Sequence, residues 1–145
     1  VSLTRDQAVD EILTVVQAAW TTVGGQDSSR LKYENVGTKS LPPTGQSAWA
    51  RVVLRHTESR QATLSGAQGS RTFRRNGVLT VQVFSPTGRG IIGTSDLDTI
   101  IRDAYEGTTT SGGVEFRNVT INEVGQDGDF FQVNVVARFE YDTIR

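Results

Sequence analysis

Cysteine is absent from this 145-residue chain, and histidine occurs once, as His56. Without a thiol there is no disulfide, no thiol nucleophile and no thiolate metal site, and the redox compartment stays open. A lone imidazole leaves any metal site to be completed by carboxylates, and no ligand spacing supports one. A Ser-His-Asp arrangement would have to use His56, yet no serine sits in a nucleophile-elbow context. Neither charge sign prevails: 15 Lys and Arg stand against 16 Asp and Glu. Nucleic-acid binders normally concentrate positive charge. The densest basic stretch here, Arg71, Arg74 and Arg75, is too short to be a phosphate track. No apolar run approaches the roughly 20 residues that cross a bilayer, and nothing reads as a leader. The expectation is a soluble protein, made inside the cell, with no membrane contact. Asn118-Val119-Thr120 fits the N-glycosylation pattern, which without a leader reads as chance. There is no internal repeat and no linker, so residues 1–145 are expected to form one domain, long enough to bury a core without staples.

What is present is clear periodicity. Residues 3–23 carry Val9, Ile12, Leu13, Val16, Ala19 and Trp20 at helical offsets, with Thr4 and Gln7 at capping-box spacing and Gly24-Gly25 as the stop. A short strand is predicted over 31–36, then a turn-rich stretch over 37–47. Residues 48–57 alternate, with Ala50, Val52, Leu54 and His56 on one face. The polar, aperiodic 58–70 reads as a long mobile hairpin loop. Residues 71–84 form a long strand, with Leu79, Val81 and Val83 on one side and Gly77 marking a bend or bulge. A Pro/Gly loop over 85–93 leads to a second helix from Thr94 or Ser95, with Leu97, Ile100, Ile101, Ala104 and Tyr105 as its stripe. Two strands, 114–124 and 130–141, meet at Gln126-Asp127-Gly128, a hairpin signal. The predicted fold is α+β in the order α-β-β-β-α-β-β. It is a two-layer structure with a mostly antiparallel mixed sheet, both helices on its apolar face, and a comparatively polar opposite face.

Few motifs carry chemistry. Gly88-Arg89-Gly90-Ile91-Ile92-Gly93 matches G-x-G-x-x-G between a strand and a helix, and Glu115 follows at a suitable distance. The preceding strand is half polar, Glu115 opens its own strand, and the remaining chain cannot complete a βαβαβ unit. A flexible loop entering a helix is therefore the preferred reading. Asp127 and Asp129 flank Gly128 as a solvated turn, short of a calcium loop. Asp96 and Asp98 suit the positive start of the second helix. Arg71, Phe73, Arg74 and Arg75 look like a subunit contact on an exposed edge strand beside a long loop.

Two blocks carry a family likeness. One runs through Arg71, Phe73, Gly77, Leu79-Thr80-Val81-Gln82-Val83-Phe84, Pro86, Gly88 and Gly90. The other runs through Gly125, Gly128, Gln132, Asn134-Val135, Phe139, Tyr141 and Asp142. With the helix placement between them, the chain resembles the tail terminator (tail-completion) proteins of long-tailed bacteriophages. The resemblance implies a homo-oligomeric ring, a hexamer, on the head-proximal end of the tail tube. There it ends addition of tube protein and presents a joining surface to the head-tail connector protein. It also implies no enzymatic activity, no cofactor, and location in the virion neck after assembly in the host cytoplasm. Growth by head-to-tail addition stops where the next heterologous interface is missing. A near-neutral subunit suits a lumen through which DNA slides without specific binding. The alternatives are another neck adaptor, or, from a different class, a nucleotide-binding enzyme using the 88–93 loop.

Overall fold

A computed structural model describes residues 3–34, 48–64, 66–86, 90–128 and 130–145, with the side chains of 90–96 and 127 left out. The described residues form an α+β fold of two α-helices and a five-stranded mixed sheet. Helix α1, Arg5–Ala18, opens with the predicted capping box: Thr4 Oγ1 accepts from the Gln7 N–H and Gln7 Oε1 from the Thr4 N–H. It runs on as a π-helical turn, Ala19–Val23, and a short 3-10 turn, Ser28–Arg30, precedes the sheet. These two turns depart from the simple predicted order. Gly24 is itself right-handed, and Gly25, at φ 63°, makes the left-handed exit.

The strands are β1 Leu31–Tyr33, β2 Trp49–Gln61, β3 Thr72–Pro86, β4 Glu115–Asp127 and β5 Phe130–Ile144, in the order β1-β2-β3-β5-β4. Among the described strands only the β1–β2 pair is parallel. Helix α2 spans Gly90–Tyr105. Strand alternation delivers Ala50 and Val52, Leu79, Val81 and Val83, and Val135, Ala137, Phe139 and Tyr141 to one buried cluster. Ala8, Ile12, Val16 and Trp20 from the first helical segment, and Leu97, Ile101 and Tyr105 from α2, complete it. Tyr105 ties the helices together, its hydroxyl donating to the Ile12 carbonyl at 2.8 Å inside the core. Burial pushes that phenol's pKa upward, so it stays a donor.

Three bulges re-aim the side chains. Thr57 has no partner between His56, opposite Gly77, and Glu58, opposite Asn76. In β4, Asn118 and Val119 together face Ala137, with Asn118 in the left-handed region at φ 53°. Asparagine tolerates that conformation better than most residues. The extra residue lets Phe116 and Ile121, five apart, both turn toward the core cluster. A second β4 bulge leaves Val124 unpaired and 57% exposed.

Several expectations are corrected. The 58–70 loop is shorter, because Glu58 to Gln61 belong to β2. The Thr57 bulge shifts the alternation there and hides it in the sequence. Strand β3 is central and paired on both sides over Phe73 to Asn76, not an edge. Gly77 sits in regular register, and the bulge lies across from it on β2. Helix α2 starts at Gly90, ahead of Thr94, so Asp98 is well inside it, buried, with its pKa raised by desolvation. The face opposite the helices is not uniformly polar: Trp49 stacks on Phe84 with ring centroids 4.2 Å apart, and Phe130 meets Trp49 edge-on. Residues 35–47, including the whole predicted turn-rich stretch and the end of the strand predicted over 31–36, lie outside the described residues.

Candidate functional site

The outer ends of β2, β3 and β5 run beyond the buried cluster, and their helix-side face is open. Cross-strand pairing sets Ser59 beside Arg75 and Arg75 beside Tyr141, and Gln61 beside Phe73 and Phe73 beside Thr143. The start of α1 is fixed against this end. The Leu3 N–H donates to the Asp142 carbonyl at 3.1 Å, and the Thr143 hydroxyl donates to the Leu3 carbonyl at 2.8 Å. That clamp, with the Thr4 cap, holds Arg5 over the strands. The result is a cavity of 660 Å³ lined by Arg5, His56, Ser59, Arg75, Tyr141 and Arg145 among others. A neighbouring cavity of 450 Å³ shares Ser59, Arg75 and Arg145 and adds Arg71 and Phe73.

His56 occupies the inner end of the larger cavity. Its Nε2 lies 2.7 Å from the Tyr141 hydroxyl, and its ring meets Phe139 and Tyr141 edge-on. Its Nδ1 is buried with no hydrogen-bond partner among the described residues. Burial, then the charges of Arg5 and Arg75, push the imidazole pKa below its ordinary value, so it is neutral near pH 7. Burial raises the Tyr141 phenol, against the smaller opposite pull of Arg75 and Arg5. The pair is thus a neutral hydrogen-bonding unit with two guanidinium groups nearby.

The predicted interface residues divide. Arg71, Phe73 and Arg75 share the open face. Arg75 donates to Ser59 Oγ and lies 5.6 Å over the Phe73 ring, and Arg71 donates to the Gly66 carbonyl at 3.0 Å. Arg74 points to the other face and is consumed within the molecule, 2.9 Å from Asp142 and 3.4 Å from Glu140. Sequence reasoning missed Arg5, Tyr141 and Arg145, because only β3–β5 register and the clamp on Leu3 bring them to the cavity. One signal was available: His56 continues the core-facing alternation of Ala50, Val52 and Leu54.

The Gly88 to Gly93 motif does not form a loop ahead of a helix throughout, since 90–93 are already helical; Gly88 and Arg89 lie outside the described residues. The turn after Asp127 has Gly128 at φ 60°, and Asp129 lies outside the described residues. Among the described residues no three His, Cys, Asp or Glu side chains converge as metal ligands.

No family model matches the chain, and no curated protein matches it. A solved structure that bears no functional name is similar, with a TM-score of 0.65 at 13% identity over 96% of this chain and 96% of that one. What the two share is the α+β fold.

Proposed function

We propose that this chain is a structural virion protein, a tail terminator whose ring caps the head-proximal end of a phage tail tube and receives the head connector. The observation that carries the reading is the uncovered outer end of β2–β3–β5, which turns at its tip through Leu64, 94% exposed. The paired extension of β2, β3 and β5 holds its shape, so the Arg/Phe face on it is offered to a neighbour without an ordering cost, with Leu64 exposed in the connection beyond the strands. Arg and Phe are enriched in interfaces, and a stable contact must bury roughly 1,000 Å². The sequence likeness supplies the rest: a ring of six copies, no catalysis, and DNA passing through the lumen unheld.

Mixed with its tail tube, the protein is expected to form rings at one tube end, counted by mass photometry and seen by electron microscopy. Leu64→Asp, and separately Arg71→Glu with Arg75→Glu, should abolish rings while circular dichroism stays unchanged. Normal rings from both variants would remove the outer end from the interface. A protein that never meets the tube end would sink the reading. A stable monomer that joins a different ring would favour a neck adaptor.

A further inference from the structure

The cavity between α1 and the outer strands holds more positive charge than the fold consumes. Arg5, Arg75 and Arg145 line it, with Glu58 as the one carboxylate side chain among the described lining residues. Among the described residues neither Arg5 nor Arg145 makes a side-chain ion pair, and Arg75 spends itself on the neutral Ser59 hydroxyl and the Phe73 ring. Nearby arginines are treated differently: Arg55 pairs with Glu34 and Arg74 with Asp142. The cavity lining adds His56 and Tyr141, joined to each other through Nε2 and the phenol hydroxyl at 2.7 Å. A volume of 660 Å³ falls inside the range of small-molecule pockets. Guanidinium groups bind carboxylate and phosphate oxygens through charge-assisted, often bidentate hydrogen bonds.

We propose that this cavity binds a small polyanion bearing two or more carboxylate or phosphate groups. Arg5, Arg75 and Arg145 are its charge partners, and Tyr141 and His56 form the hydrogen-bonding floor. Nucleic acid fits the site poorly, because the cations are gathered in one hollow rather than along a track and the chain as a whole has a net charge of −1. The proposal does not depend on ring assembly.

The single histidine makes the test direct, since the chain has one imidazole Cε1–H resonance. The protein is titrated by NMR with pyrophosphate and with citrate at constant ionic strength. The expected result is a saturable shift of that resonance and a His56 pKa that rises with ligand bound. Binding should weaken at least tenfold in Arg5→Gln/Arg75→Gln, while Arg60→Gln leaves it unchanged. If the double variant misfolds, Arg145→Gln carries the comparison. Shifts that never saturate, that sodium chloride reproduces, or that persist in the variants would overturn the proposal. So would saturation by a Glu-rich peptide and by neither small anion.

Discussion

Replacing Gly77 with alanine adds one methyl group where β2, β3 and β5 lie side by side. Gly77 pairs with His56 on one flank and Phe139 on the other. A Cβ there would sit 2.7 Å from Phe139 Cε1 and would also overlap the Arg55 carbonyl oxygen. The ring can swing, but it packs edge-on to His56 and belongs to the core cluster. The carbonyl is backbone and moves only with the strand. Overpacking of this kind costs about 1–3 kcal/mol, and two simultaneous overlaps put the expectation at about 3 kcal/mol. With a urea m-value of about 2 kcal/mol/M, the midpoint should fall by about 1.5 M. Equilibrium unfolding followed by circular dichroism and by the fluorescence of Trp20 and Trp49 measures this. Gly77→Ala/Phe139→Leu removes the ring overlap and leaves the backbone one, so it should show a favourable coupling of about 1 kcal/mol. A loss below about 0.5 kcal/mol with no coupling would mean that the three strands are not held as closely as argued.

Other outcomes follow from the same contacts. Tyr105→Phe removes a buried hydrogen bond to the Ile12 carbonyl, which keeps its helical donor, and about 1 kcal/mol of stability should disappear in urea melts. His56, whose ordinary value is 6.5, is held below it by burial and by Arg5 and Arg75, and it also faces the Tyr141 hydroxyl. Between the lowered value and 6.5 the unfolded chain binds the proton that the folded one refuses. This stability is therefore full above that window and lost as pH falls through it. Unfolding midpoints between about pH 7 and about pH 5 should decline more steeply for the wild type than for His56→Gln. Arg74→Gln should cost no more than about 1 kcal/mol, because the pair with Asp142 is partly exposed. Arg74→Glu should lower the melting temperature further by crowding three carboxylates, and thermal melts at low and high salt would separate the two.

Most of the framework was legible because burial on one side writes itself into the sequence. The stripe from Ile12 to Trp20, the capping box at Thr4 and the alternation of β5 each predicted their element. The reading failed where a single inserted residue breaks the period. Thr57 hid the last residues of β2, and Asn118 with Val119 kept Phe116 and Ile121 from reading as one face. It fails again where only long-range register decides: the polar start of β3 resembles an edge, and pairing with β5 makes it central. The cavity was least legible of all. His56, Arg75 and Tyr141 are brought together by two strand pairings, and Arg5 by two hydrogen bonds to Leu3.

The doubly bulged β4 at the border of the sheet has a consequence for how two copies of this chain could meet. A free strand border is a template for amyloid-like growth, in which flat repeats lock together and do not let go. With Asn118 wound left-handed and Val124 thrown out of line, an incoming strand finds no unbroken row of donors and acceptors from one end to the other. Copies crowded together can then meet through side chains, reversibly, without fusing their backbones into a fibre.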